Sequence, residues 1–211
     1  MAKDKYNGIF TGVLLRIQAR ANEMTRYATR DRLFSVTEYH RMSDRGILKA
    51  DERTELLDGH IISMAAKKPL HSLINQLAGD YLKQVLSGLA VVRTQEPVHL
   101  NAKSEPEPDI AVVQLPLTRY RDHHPYPEEV LLLIEVADTT LNFDRKKKAV
   151  SYARAGIADY WVIDVKGEQV FVFRDLEAKS YQRETVWAKD ATLTLLAFPD
   201  VSVKVQNFFL K

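Results

Sequence analysis

The chain has 211 residues, 45% hydrophobic and 27% charged, a balance that suits one soluble globular domain and excludes disordered or fibrous classes. It has no cysteine, hence no disulfide, thiolate nucleophile or cysteine-based zinc site, which fits a reducing cytoplasm. No apolar run approaches the roughly 20 residues of a membrane helix, and a net charge of +2 means that any nucleic-acid contact must rest on local basic clusters.

Residues 1–33 read as an N-terminal extension, weakly ordered or partly non-native. Its apolar stretch is flanked by Lys3, Lys5, Arg16 and Arg20, but Arg16 interrupts it and no small-residue cleavage site follows; Met24 is an alternative start. A single domain is expected over 34–211. Ser35-Val36-Thr37-Glu38 is a capping box that predicts a helix over about 36–43. In RTELLDGHIISMAA, Asp58-Gly59 between two apolar runs predicts a hairpin with strands near 54–57 and 60–65. Leu70, Leu73, Ile74, Leu77, Tyr81, Leu82 and Val85 recur at helical spacing, with Pro69 near the first turn and Gly88 past the end.

Strands are then expected at about 89–94 with a continuation to 100, at 109–114 and at 130–136. The last two are apolar on both faces, as in a covered sheet. Residues 115–128 read as a polar, proline-containing loop. A second long helix is expected over about 143–155, stopped by Gly156. DYWVIDV is a buried strand, Lys166-Gly167 a turn, and runs at about 168–174, 180–187 and 192–196 an antiparallel tail. The fold class is α/β (α+β): a helix, three strands, a helix and a strand on a mixed sheet, with an N-terminal hairpin and C-terminal antiparallel strands.

Two features of VLLLIEVADTTLNFDRKKKAV run against local physics. Glu135 puts a carboxylate at the end of a buried strand, which is costly unless it is paired, protonated or bound to metal. Arg145, Lys146, Lys147 and Lys148 crowd the positive end of a helix dipole, offset only in part by Asp144. Asp109 also stands at the end of an apolar strand, so one sheet edge can gather two carboxylates able to hold a divalent cation. Two readings stay open from spacing alone. Either the acids hold a metal, or Glu135 pairs with a core cation while Asp109 caps a turn. On the helix, Lys147 shares a polar face with Ser151 and Arg154; Lys146 (with Val150, Ala153 and Ile157) and Lys148 (between Asp144 and Tyr152) are the two expected to reach inward.

FSVTEYHRM, ELLDGHIISMA, His71 opening the long helix, EPDIAVV and IEVADTTLNFDRKKKAVSYARAGIADYWVID occur in that order. Together they resemble the PD-(D/E)XK nuclease superfamily and, within it, the bacterial putative restriction endonuclease family, from about Phe34 to the C-terminus. The resemblance implies a restriction-endonuclease-like core. It matches Asp109 and Glu135 to the two acidic motif residues. The lysine expected two residues later is Ala137, and the family's Asp-x-x-x-Lys pattern lands on Asp144 and Lys148. Implied roles are Mg²⁺ or Mn²⁺ held by Asp109, Glu135 and the Val136 carbonyl, with Lys148 orienting the attacking water. Glu55 is implied as a further acidic site residue, and His71, Asp144 and Lys146 toward the substrate. The implied activity is hydrolysis of phosphodiester bonds in nucleic acid, DNA above all, by a cytoplasmic homodimer. The alternative is a catalytically inactive nucleic-acid-binding or interaction module on the same fold. The direction of the Lys148 ammonium separates the two.

Overall fold

The computed structural model describes residues 31–49, 51–64 and 66–210; the expectations for the extension fall almost wholly outside these residues. Helix α1 (Val36–Asp44) starts where the capping box predicts: the Ser35 hydroxyl accepts from the Glu38 amide, and the Glu38 carboxylate accepts from the Ser35 amide. Strands β1 (Thr54–Leu57) and β2 (His60–Ser63) close on Asp58 (φ 50°) and Gly59 (φ 81°), the left-handed pair that a two-residue hairpin demands. A β-carbon at Gly59 would lie 2.7 Å from that of Leu33, so glycine is required twice over. Helix α2 (Pro69–Val85) begins with proline in its first turn and buries Ile74, Ala78 and Leu82.

The apolar runs form one six-stranded sheet: β3 (Val91–Thr94), β4 (Ile110–Val113), β5 (Val130–Ala137), β6 (Tyr160–Asp164), β7 (Gln169–Glu177) and β8 (Ser180–Ala188), in that spatial order. β5 and β6 are parallel and the other pairs antiparallel. Parallel neighbours need a crossover, supplied by α3 over 141–155. This helix has an α-helical turn (Leu141–Phe143), a π-helical turn (Asp144–Lys148) and an α-helical stretch (Ala149–Ala155), and it stops at Gly156 with φ 94°. A separate ribbon, β9 (Thr192–Leu195) and β10 (Phe198–Lys204), follows. From Leu33 onward the chain is one compact unit. No helix among the described residues is long and apolar enough to cross a membrane.

Strand alternation divides the core. Leu132, Ile134 and Val136 of β5 face Ile74, Leu82 and Phe208, whereas Leu133 and Ala137 face Tyr152 of α3 and Tyr160 of β6. Each fully buried aliphatic or aromatic side chain of this kind contributes about 1.5–3 kcal/mol. Glu135 shares the α3 face by the same period of two.

The structure departs from or refines the sequence expectations in three places. The strand expected to continue to 100 ends at Thr94: Gln95 has φ 56°, and the chain then turns back on itself through Val98 N–H to Pro106 O and Leu100 N–H to Ser104 O. The 115–128 loop carries two 3₁₀ turns, Leu117–Arg121 and Pro127–Glu129. β10 was not expected, because Pro199 and Asp200 break its alternation; the pairing register shifts between Phe198 and Val203.

Asp159, fully buried before β6, ties the tail to the sheet. It accepts from Arg174 Nε (2.8 Å) and Nη2 (3.0 Å), Trp161 Nε1 (2.7 Å) and the Leu196 amide (2.9 Å). Asp159→Ala strands the shielded Arg174 guanidinium and is expected to cost about 3–5 kcal/mol in denaturant unfolding; a loss below about 1 kcal/mol would show that the network adds little.

Candidate active site

Three strand ends and two helices converge at one end of the sheet. The antiparallel ladder between β4 and β5 ends at Ile110 opposite Ile134, so the next β5 amide facing that way, Val136, has no β4 partner. Asp109 supplies one: its Oδ2 accepts from Val136 N–H at 2.9 Å. The same oxygen lies 3.3 Å from His71 Nε2 in the first turn of α2, and Oδ1 accepts from Gln95 Nε2 at 3.2 Å. Burial pushes the Asp109 carboxyl up, but the hydrogen bond and charge of His71, with the Val136 and Gln95 donors, hold it below the usual carboxylate range. The same hydrogen bond raises His71.

Glu135 points to the other face and meets α3. Lys148 Nζ donates to Glu135 Oε1 at 3.0 Å and to Glu55 Oε2 at 3.2 Å, and the Tyr152 hydroxyl donates to the same Glu135 oxygen at 2.6 Å. Glu55 reaches this point because its strand is held by the 101–107 segment: Glu105 N–H bonds Leu56 O, and Glu107 N–H bonds Glu55 Oε2 at 3.1 Å. Glu55, Glu135, Asp144 and Lys148 are each 3–5% exposed.

Three carboxylates, Glu135, Glu55 and Asp144, thus surround one lysine, and Asp109 with His71 stands beside them on the same cleft. Dehydration, opposed by Lys148 and reinforced by Asp109, Asp144 and Glu55, pushes Glu135 up to about 8. Dehydration likewise pushes Asp144 up to about 6. Burial works against the Lys148 charge, but Glu135, Glu55 and Asp144 together raise it, so the ammonium keeps its proton. The group lines a cleft of about 340 Å³ whose rim carries Arg53, Lys67 and Lys68.

Asp109, Glu135, Glu55, Lys148, His71 and Asp144 all line this cleft, as does Val136. Lys146 does not: it is exposed, as is Val150 of the stripe expected to face inward. The π turn explains the correction, since Ala149 N–H bonds Asp144 O five residues back, and the extra residue rotates the helical faces. Arg145 is spent elsewhere, on Glu184 (2.6 Å) and over the Phe171 ring (3.9 Å). Sequence reasoning missed Tyr152, Gln95 and Glu107. Tyr152 stands four residues after Lys148, a spacing that could have flagged it; Gln95 and Glu107 lie in loops and carried no pattern.

Residues 36–206 match the model of the Uma2 family, described as a putative restriction endonuclease. The chain belongs to this family. A solved structure, a putative nuclease belonging to DUF820 from Anabaena variabilis ATCC 29413, aligns with a TM-score of 0.63 at 17% identity, covering 83% of this chain and 97% of that one; the two share a nuclease-like fold. No curated protein matches the chain.

Lys148→Met leaves Glu135 and Glu55 buried without their cation, an expected loss of about 3–5 kcal/mol near neutral pH. Glu135 and Asp144 bind protons more tightly folded than unfolded, so stability from their neutral forms is full below about pH 4 and is lost as pH rises through about 6 and then about 8. The variant should therefore be least stable at alkaline pH and approach wild type on acidification, as read by thermal unfolding; a pH-independent deficit would contradict this.

Proposed function

We propose that the chain is a metal-dependent nuclease that hydrolyses phosphodiester bonds of nucleic acid, DNA in the first place. The observation that carries this reading is the Lys148 ammonium, buried at the cleft floor and aimed at Glu135 rather than at solvent. Nothing in a structural ion pair calls for a third carboxylate around the same lysine, or for a cleft that opens onto them and onto Asp109.

The donor set fits a hard cation. Glu135 Oε1 is taken by Lys148 and Tyr152, while no hydrogen bond falls on its Oε2 among the described residues; Asp109 Oδ1 accepts a single hydrogen bond, from Gln95. In the β pleat the Val136 carbonyl lies on the same side of its strand as its N–H, the side of Asp109. Mg²⁺ and Mn²⁺ take such oxygens, one or two carboxylates at a time, and fill the remainder with water and phosphate. No group of three His, Asp or Glu side chains able to hold a metal converges among the described residues. A cation there would complete its set with water and substrate phosphate.

A bound cation would lower the pKa of a water and neutralise charge on the scissile phosphate. The chain's own groups do the rest. Asp109 is held ionised by His71, Gln95 and the Val136 amide. Tyr152 and Lys148 fix one Glu135 oxygen and leave the other to the cleft. Lys148 is too firmly protonated to act as a base; it orients the attacking water and offsets charge developing on phosphate oxygens. Glu55 positions Lys148. Arg53, Lys67 and Lys68 on the rim suit flanking phosphates.

The test is calorimetric titration of Mn²⁺ with plasmid nicking on the same samples. Asp109→Ala and Glu135→Ala should lose both metal binding and nicking. Lys148→Ala should hold metal yet nick about 10²–10³-fold more slowly. A wild-type chain that neither binds Mn²⁺ nor nicks overturns the reading. Tyr152→Phe keeps the ring and removes one hydrogen bond to a ligand carboxylate, and should weaken Mn²⁺ affinity about tenfold or more; unchanged affinity would reduce Tyr152 to packing.

A further inference from the structure

Three buried side-chain atoms among the described residues have no hydrogen-bond partner: His71 Nδ1, Asn75 Oδ1 and Arg93 Nη1. Buried polar atoms are seldom left so, because each pays its dehydration without return. These three are not scattered. His71 lines the acidic cleft. Asn75, one turn further along α2, lines a second hollow with Ser72 and Gln95. Arg93 lines a third, with Tyr120 and Arg121. The hollows join. Lys83 and Thr94 line both the second and the third, and Gln95 of the second hydrogen-bonds Asp109 of the cleft. The path starts at the proposed reaction centre, follows α2 and crosses β3, an edge strand of the sheet.

Its chemistry changes along the way. The cleft is dominated by buried carboxylates, whereas the far end presents Lys83, Arg93 and Arg121, whose acidic neighbours Asp80 (3.3 Å), Glu96 (3.7 Å) and Asp122 (3.8 Å) are all exposed and hold them only weakly, so phosphates can take their place. Arg93 is 12% exposed and poorly compensated: Glu96, itself mostly exposed, is 3.7 Å away, and the guanidinium lies 5.7 Å from the centre of the Tyr120 ring. Dehydration lowers its pKa against the pull of Glu96 and Tyr120. Beside it stand a half-buried aromatic ring, Tyr120, and an exposed Leu117. Cations that follow a backbone, next to apolar faces that take unpaired bases, are what a single polynucleotide strand requires.

We propose that this path is the binding track for one strand of nucleic acid: the strand leaves the cleft past His71, Asn75 and Gln95 and crosses the β3 edge, where Lys83, Arg93 and Arg121 hold its phosphates and Tyr120 takes a base. The track rests on the nuclease reading for its starting point. It goes beyond that reading by naming a substrate form, an extended single strand, and residues remote from the reacting phosphate.

The test uses the full chain and three readouts. Lys83→Gln with Arg121→Gln changes two exposed side chains and leaves the fold intact; Arg93→Gln is a second variant. Binding of a fluorescein-labelled 30-nucleotide single strand is followed by anisotropy across salt concentrations. Hydrolysis of bis(p-nitrophenyl) phosphate with Mn²⁺ is measured alongside, and light scattering reads the oligomeric state. The double variant should bind the strand several-fold more weakly, with a slope of log affinity against log salt shallower by about 1.4, that is about 0.7 for each of two phosphates. Its hydrolysis of the small diester should match wild type, because that substrate needs only the cleft. Arg93→Gln should bind more weakly still. Unchanged strand affinity and slope in both variants overturn the track, whether or not the diester is cleaved. Unchanged affinity together with an altered oligomeric state also overturns it, and makes the β3 edge a contact between copies. A wild-type chain that binds the strand through these residues but hydrolyses no diester upholds the track and overturns the nuclease reading instead.

Discussion

A lysine ammonium shut away from water between two carboxylates is the constraint around which this end of the molecule is built. Taking Lys148, Glu135 and Glu55 out of water costs several kcal/mol per ion, and their attraction in the dry interior does little more than return it. A leucine and two methionines of similar volume would hold the elements together about as well. The cluster is therefore poor evidence of stability and better evidence of use. It also dictates architecture. β5 must present Glu135 toward α3, which fixes the strand's register. The β1–β2 hairpin, outside the main sheet, must be clamped close enough for Glu55 to reach in. The π turn must bring Lys148 inward while Lys146 and Lys147 stay in water.

The clamp on the hairpin is itself polar. Glu105, buried, accepts from both sides: His40 of α1 bonds Oε1, and His99 Nδ1 lies 2.9 Å from Oε2. The Glu105 amide completes the link by bonding Leu56 O. On the other flank, Ser151 of α3 donates to Asp58 in the hairpin turn at 2.7 Å. The Asp58-Gly59 turn thus serves twice, once for its backbone twist and once for a carboxylate that anchors α3. A site that depends on side chains within about half an ångström of their working positions needs such second-tier support.

Much of this was legible in the sequence because it was locally costly. Glu135 and Asp109 stood out as carboxylates at the ends of apolar strands, and the capping box, the Asp58-Gly59 turn and the spacing of α2 each follow from short-range rules. The failures lie where tertiary structure overrules the local period. Lys146 was placed on the inward stripe by a 3.6-residue repeat that the π turn breaks. Residues 95–100 have strand-like composition, yet the left-handed Gln95 frees that amide side chain to reach Asp109. β10 hides behind a register shift. Tyr152 entered only as a marker of where Lys148 lies on the helix, because an aromatic ring at helical spacing gives no sign of where its hydroxyl points.

If Lys148 does the work proposed for it, the site has moved in sequence and stayed in place in space. In the superfamily that the motifs resemble, the cation sits two residues after the strand glutamate and so on the same face of the sheet. Here that position is Ala137, 1% exposed and packed against the α3 side. A small side chain there leaves the volume above Glu135 open, and α3 fills it from the opposite direction with Lys148. What the proposed chemistry requires is one fixed positive charge about 3 Å from one oxygen of a ligand carboxylate, with the other oxygen left for a cation. Either route supplies it. The helical route adds something the strand route lacks. It ties the charge to the crossover between β5 and β6 and to the hairpin glutamate at once, so Lys148 is held by two elements that the central sheet alone does not align.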